Sequence, residues 1–267
     1  MRTKWALVGL TVVLSAALMF SGCGTKPAAS GNEVLTIAVD DTYPPMEYRD
    51  EKNELVGFDI DFAKALGEKM GKTIEFKSIA WDTIFAGLDA GNYDAIISSV
   101  SMTPTRLENY EFTKPYLANG QVIVVKPGDT SVTKVEDLAG KIVGVQIATT
   151  ADEACAKQLE TMKFELKQYD EIIQTFEALN SGNIECVVVD YAVAIDYATK
   201  YPDKYVITST QLTNEPISIC IKKGNTALRD EFQKALTELQ TEGKMGELSK
   251  TWFGGKDFTS NIDENLY

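Results

Sequence analysis

Histidine is absent from all 267 residues. That absence removes Ser-His-Asp hydrolysis, histidine-ligated zinc and the commonest general base. Cysteine is scarce: beyond Cys23 there are Cys155, Cys186 and Cys220, an odd set whose spacing matches no metal site. Cys186 falls in an apolar run and Cys155 in a helical pattern, so buried small hydrophobes are expected, with one disulfide among the three left open. Basic charge is also short, 26 Lys and Arg against 39 Asp and Glu, a formal net charge of −13. No basic cluster interrupts that surface, so it repels nucleic acid. No metal, cofactor or nucleic-acid partner is expected. After the first 22 residues no apolar run reaches the roughly 20 residues that a membrane span needs.

What is present begins with an export signal. Arg2 and Lys4 precede an apolar run over 5–20, and Ser21, Gly22 and Cys23 follow. Small residues ahead of Cys23 resemble the lipobox of bacterial lipoproteins, with Phe20 where an aliphatic residue is usual. Residues 1–22 are thus expected to be removed and Cys23 lipidated, anchoring the protein at the outer face of a cell membrane or in a periplasm. Residues 23–32 are small and polar and read as a flexible tether. The 245 residues from Cys23 onward carry a net charge of −15, because the signal holds two basic and no acidic residues.

Strand, helix, strand, helix, strand is the order read over 34–39, 58–70, 73–79, 82–90 and 95–97. Such an order implies a parallel sheet with right-handed crossovers. It recurs over 142–145, 150–159, 164–167, 171–180 and 185–189. Within it, I-F-A-G-L-D-A-G-N-Y-D-A-I-I from Ile84 echoes T-F-E-A-L-N-S-G-N-I-E-C-V-V from Thr175. Phe, Leu, Gly and Asn fall at equal offsets, and an acidic residue meets an acidic one. Two similarly built lobes follow: 33–118 plus 213–260 as the first, 122–209 as the second, with hinges near 118–122 and 209–213. Helices over 227–241 and 244–252 return to the first lobe.

One stretch concentrates polar chemistry. After the strand at Ala95, the chain reads Ser98, Ser99, Ser101, Thr103, Pro104 and Arg106. Thr103 is placed to cap a helix with Pro104 in its first turn, and Arg106 presents a planar fork suited to a carboxylate. A capped surface helix with a solvated arginine is the plainer reading. The echo favours the former, because it sets Ser98 and Ser99 against Asp190 at matching strand ends. Ligands of open α/β sheets sit beyond the carboxyl ends of the strands. A cation at Arg106 and an anion at Asp190 across a cleft suit a zwitterion.

Five motifs together resemble a known family: V-D-D-T-Y-P-P-M-E-Y from Val39, V-G-F-D-I-D from Val56, D-A-I-I-S-S-V-S-M-T-P-T-R from Asp94, G-V-Q-I-A-T-T from Gly144, and the strand ending in Asp190. The chain resembles, over nearly its whole mature length, the polar amino acid substrate-binding proteins of bacterial ABC importers, family 3, among them binders of lysine, arginine, ornithine, histidine and glutamine. The resemblance implies a periplasmic-binding-protein-like class II fold, two α/β lobes joined by two hinge strands with a ligand cleft between. It implies that Arg106 clamps the ligand α-carboxylate, assisted by Ser101 and Thr149, and that Asp190 takes the α-ammonium, helped by Ser99. Tyr43 and Trp81 match positions whose rings sandwich the ligand side chain. Asp40 matches an acidic position at the side-chain terminus. Ser98, Thr150 and Gln146 are further side-chain contacts, and Gln121 is placed to reach the cleft from a hinge strand. Structural roles compete: Asp40 as a loop cap, Tyr43 as a packing aromatic, Trp81 as a core anchor. Met46 and Ala148 stand where phenylalanine and glycine are common.

The implied function is that of a lipid-anchored, monomeric receptor, not an enzyme. It would bind an L-amino acid, basic or otherwise polar, such as arginine, lysine or histidine, and deliver it to the permease of an ABC importer. Glutamine or cystine is the alternative cargo. An enzyme resembling the cyclohexadienyl dehydratases, which share the fold, is the alternative class.

Overall fold

The computed structural model describes residues 33–260 and 262, so the export signal, Cys23 and the tether lie outside the described residues. Strand β1 (Val34–Val39) is buried on both faces: Leu35, Ile37 and Val39 enter one apolar cluster and Ala38 another. That is the environment of a sheet covered by helices on both sides. Three short strands follow, β2 (Thr42–Tyr43), β3 (Glu47–Arg49) and β4 (Leu55–Val56), forming a small antiparallel sheet of their own. Helix α1 (Phe58–Met70) packs Phe58, Phe62 and Leu66 into the first cluster and ends where Gly71 adopts φ 64. Burying each such side chain fully contributes roughly 1.5–3 kcal/mol.

The first lobe continues through β5 (Thr73–Ser78), α2 (Trp81–Asp89), β6 (Ala95–Ile96), α3 (Pro104–Asn109) and β7 (Tyr110–Phe112). The second lobe holds β8 (Gln121–Val125), β9 (Ile142–Gln146), α4 (Thr150–Leu159), β10 (Glu165–Tyr169), α5 (Ile172–Ser181), β11 (Cys186–Asp190), α6 (Tyr191–Lys200) and β12 (Val206–Gln211). The chain then returns to the first lobe as β13 (Cys220–Lys222), α7 (Thr226–Thr241) and α8 (Lys244–Trp252). Two five-stranded sheets result, ordered β5-β1-β6-β13-β7 and β10-β9-β11-β8-β12. In each, four strands run one way and a single strand, β13 in the first and β8 in the second, runs against them. The fold is α/β in two lobes, as the sequence implied.

The echoed segments are built alike down to single hydrogen bonds. At the end of α2 the Asn92 amide donates to the Gly87 carbonyl, and at the end of α5 the Asn183 amide donates to the Ala178 carbonyl, at 3.0 and 2.9 Å. Gly91 and Gly182, one residue earlier, take φ 75 and 81, a left-handed turn that glycine enters without a Cβ penalty. The matched acids also have matched work. Asp94 accepts the Thr36 amide at 2.8 Å and Glu185 the Ile142 amide at 3.0 Å, each securing the start of the neighbouring strand.

Between the sheets the chain passes twice, over 113–120 and over 212–219. The two passages run antiparallel and bond to each other: Ile217 amide to Leu117 carbonyl, Glu215 amide to Asn119 carbonyl, both 2.9 Å, and Leu212 amide to Gln121 carbonyl, 2.7 Å. Of the hinges expected near 118–122 and 209–213, residues 121–122 and 209–211 belong to strands β8 and β12 of the second sheet. Cys155, Cys186 and Cys220 are buried free thiols. Burial pushes the thiols of Cys155 and Cys186 up to about 12.

Candidate functional site

All eleven residues singled out as ligand contacts line one cavity of about 290 Å³ between the lobes: Asp40, Tyr43, Trp81, Ser98, Ser99, Ser101, Arg106, Gln146, Thr149, Thr150 and Asp190. A twelfth, Glu47, was not foreseen. The first lobe delivers its share from the ends of β1 and β6 and from α2 and α3. The second delivers its share from the end of β9, the start of α4 and the end of β11.

Arg106 is held by a short helix whose start the sequence dictates. Thr103 caps α3, its hydroxyl accepting the Arg106 amide at 3.2 Å, and Pro104 occupies the first turn. Arg106 as a whole is 8 % exposed, and its guanidinium donates to the Ser101 carbonyl at 3.1 Å. Its carbon lies 5.6 Å from the Trp81 ring centre and 4.9 Å from that of Phe85. Among the described residues no carboxylate lies within 4.0 Å of it. Burial pulls its pKa down, opposed by more distant carboxylates with Glu153 first. A buried guanidinium stacked on aromatic faces, with donors to spare, is an anion receptor.

On the opposite wall, Asp190 accepts three hydrogen bonds, from the hydroxyl of Tyr43 at 2.7 Å, Asn119 Nδ2 at 2.6 Å and Gln121 Nε2 at 2.7 Å. Burial raises its carboxyl and those bonds oppose the rise. Tyr43 therefore contributes its hydroxyl as well as its ring, across the two lobes. Gln121 does not line the cavity; it sits behind it on β8, also donating to Thr150 Oγ1 at 3.0 Å.

Asp40 does two things at once. It turns the loop after β1 by accepting the Thr42 hydroxyl at 2.7 Å, and it accepts Gln146 Nε2 from the other lobe at 2.9 Å. Burial raises its pKa and the bonds from Thr42 and Gln146 counter that. Trp81 likewise joins two readings: buried in the first lobe's second apolar cluster, it sends its indole N–H across to the Ala148 carbonyl, 2.9 Å. Ala148 has φ 60, a left-handed backbone that explains why glycine suits this position. Thr149 caps α4, its hydroxyl accepting the Asp152 amide at 3.2 Å and donating to the Gln146 carbonyl at 2.7 Å.

Beneath the cavity lies a pair of fully buried carboxyls, Glu47 on β3 and Asp59 on α1. Glu47 Oε1 accepts the Ser98 hydroxyl at 2.7 Å, and that same hydroxyl accepts the Asp40 amide at 2.9 Å. Asp59 accepts the Ser99 amide at 2.7 Å and the Tyr116 hydroxyl at 2.8 Å. The Asp59 amide donates to the carbonyl of Met46, next to Glu47, at 2.9 Å, which brings the two carboxyls to the same place. Burial pushes Glu47 well up, reinforced by Asp59, and pushes Asp59 up to about 6, against the bonds it accepts. Ser99 is held at φ 49 between these groups. The sequence carried one signal of this pair: Asp59 precedes Phe62 and Leu66 by three and seven residues, so it occupies the apolar stripe of α1. Glu47 gave none.

Among the described residues no group of three or more His, Cys, Asp or Glu side chains is arranged to hold a metal ion. None of the described helices is long and apolar enough to cross a membrane.

Two α/β lobes closing a polar, charge-lined cavity between their strand ends define a protein built to enclose a small solute. The chain belongs to the bacterial extracellular solute-binding proteins, family 3, whose pattern it matches over residues 35–255. These are binding proteins, not enzymes. It is 34 % identical to the ABC transporter arginine-binding protein 1 of Escherichia coli strain K12, over 84 % of this chain and 93 % of that one. It is 28 % identical to the L-cystine-binding protein TcyJ of the same organism, over 94 % and 96 %. Among solved structures, an ancestral arginine-binding protein bound to arginine matches with a TM-score of 0.80 and 36 % identity, covering 84 % of this chain and 99 % of that one.

Proposed function

We propose that this protein is an extracytoplasmic receptor that closes on one L-amino acid, with a basic one such as arginine, lysine or histidine favoured, and hands it to an ABC importer. The observation that carries the reading is the charge inventory of the cavity. One buried guanidinium, Arg106, has no carboxylate within 4.0 Å, while Asp40, Glu47, Asp59 and Asp190 gather on or just beneath the remaining walls. Arg106 takes the α-carboxylate and Asp190, with its three donors already in place, takes the α-ammonium. What remains is an excess of carboxyl groups, and a cationic side chain answers it better than a neutral one. Names of relatives support amino acid cargo and include arginine and cystine binders.

Closure is a hinge motion at the paired passages over 113–120 and 212–219, and the ligand favours the closed state through its differential affinity. Export by residues 1–22 and lipidation of Cys23 belong to the same proposal.

Thermal unfolding of the full chain, refolded to strip carried-over ligand, against single amino acids tests it. A ligand at about 100 times its Kd adds roughly 2.7 kcal/mol. A selective rise with arginine, lysine or histidine is expected. A rise only with glutamine or cystine keeps the receptor and changes its cargo, and no rise with any amino acid overturns the reading.

A further inference from the structure

The two buried carboxyls beneath the cavity cannot both be charged. The Asp59 amide donates to the carbonyl of Met46, next to Glu47, at 2.9 Å, and the neighbours Ser98 and Ser99 hold one carboxyl each, so two like charges would lie close together out of water unless one proton stays with the pair. The donor inventory locates it. Asp59 accepts from the Ser99 amide and the Tyr116 hydroxyl, and Glu47 Oε1 accepts from Ser98, whereas Glu47 Oε2 is fully buried with no partner donating to it. An acceptor left that way is costly; carrying the proton itself, Oε2 becomes a donor and the cost disappears. Glu47 also lines the cavity, which Asp59 does not.

We propose that Glu47 holds one proton toward Asp59 and that a cationic ligand side chain expels it, so that binding a basic amino acid releases a proton to solvent while binding a neutral one does not. The inference rests on reading the cavity as an amino acid site. Before binding, the pair carries one negative charge between two carboxyls. A guanidinium or ammonium brought against Glu47 replaces the proton as its counterion: the O–H bond of Oε2 breaks, the proton leaves to buffer, and an ion pair takes its place. A neutral side chain offers no such exchange and accepts the protonated form as it stands.

The groups facing the pair are accounted for. Asp40, from the end of β1, is bridged to Glu47 through Ser98. Asp190, from β11, and Tyr43, from β2, act on it from the cavity, and Tyr116 binds Asp59 from the passage between the lobes. Glu215 stands behind Asp190, beside Gln121. Asp40 and Asp190 both favour keeping the proton, and Arg106 is the one basic residue among those lining the cavity. A ligand cation is therefore the group able to displace it.

The test is calorimetric titration of the full chain near pH 7, above the value at which Asp59 gives up its own proton, in phosphate and in Bis-Tris, whose heats of ionisation differ widely. Arginine and lysine are compared with glutamine. At that pH the ligands' own groups do not titrate. Arginine is expected to release about one proton per molecule bound and glutamine none. Its affinity should also rise about tenfold per pH unit while the free pair stays protonated. Glu47→Gln, which keeps a donor toward Asp59 but has no proton to lose, should bind arginine with heats independent of buffer. Should that variant fail to fold, the wild-type comparison decides alone. Arginine heats that do not depend on buffer, equal proton release by glutamine, or binding of neutral amino acids only would each overturn the exchange and leave the receptor standing. Absence of binding by any amino acid removes the receptor reading and the exchange with it.

Discussion

Trp81 and Ala148 lie 67 residues apart, on opposite lobes, and are joined by one hydrogen bond from the indole N–H to the alanine carbonyl, 2.9 Å. With Tyr43 to Asp190 and Gln146 to Asp40, it is one of three side-chain bonds that span the cavity among the described residues. Each can form only when the lobes are together, so each biases the equilibrium toward closure. Trp81→Phe keeps an aromatic face over Arg106 and deletes the donor. A loss of about 0.5–1.5 kcal/mol, roughly two- to tenfold in ligand affinity, is expected. Small-angle scattering of the ligand-free variant should show a larger radius of gyration; an unchanged radius and affinity would mean that the bond does not hold the lobes.

Arg106→Ala should weaken every amino acid alike. Removing one partner of a buried charge pair costs about 3–5 kcal/mol, on the order of 10²- to 10⁴-fold in affinity. Arg106→Lys should rescue little, because a point charge lacks the fork and the flat stacking surface between Trp81 and Phe85. Calorimetry with one basic and one neutral ligand checks both variants. Retained affinity for either in the alanine variant would remove the carboxylate assignment.

Stability should fall as pH rises from about 4 to about 6. Asp59 in the folded protein binds its proton up to about pH 6, whereas in the unfolded chain it gives that proton up near the usual carboxylate value. In that window the native state holds more protons than the unfolded one, so stability is fully present below it and is lost as pH rises through it. Burial moves Asp40, Glu47 and Asp190 in the same direction. Ligand-free protein is expected to melt higher at pH 5 than at pH 7, and Glu47→Gln to narrow that gap by raising the pH 7 value. A melting temperature that climbs steadily from pH 5 to pH 7 in both proteins contradicts this.

Ala148→Gly should stabilise the fold. A non-glycine residue in the left-handed region costs about 1–2 kcal/mol, and glycine gives back about 0.5–1 kcal/mol through its freer unfolded chain. The net gain is on the order of 0.5–1 kcal/mol, roughly 1–4 °C in melting temperature for a chain this long. Scanning calorimetry decides; a drop of similar size would mean that the methyl group packs better than its backbone suggests.

Where local chemistry was strong, the sequence was legible. α4 runs from Thr150 to Leu159 as read, because Thr149 supplies the cap and the acids Asp152 and Glu153 fill the first turn. α8 ends at Trp252 as read, and Gly71 closes α1 at the expected residue. α6, Tyr191–Lys200, was missed: Asp190 makes no side-chain cap, and Y-A-V-A-I continues the apolar run of the preceding strand without a break. The small sheet over 42–56 escaped because its strands are two or three residues long. At the candidate site, the residues reached through motifs gathered in one cavity, but their partners did not declare themselves. Ser98 was expected to face a ligand, and its hydroxyl is committed to Glu47. Thr149 was expected to assist a carboxylate, and its hydroxyl is committed to its own helix. Such commitments depend on which side chains the fold brings within 3 Å, and spacing along the chain carries no trace of them.

The two passages between the lobes are bonded to each other by Ile217 to Leu117, Glu215 to Asn119 and Leu212 to Gln121. A two-stranded ribbon of that kind resists sliding and twisting, since either would break those bonds, and yields most readily to bending across its face. The lobes then have a single soft degree of freedom, their opening angle. A membrane partner that touches both rims would need to measure only one length to tell a loaded receptor from an unloaded one.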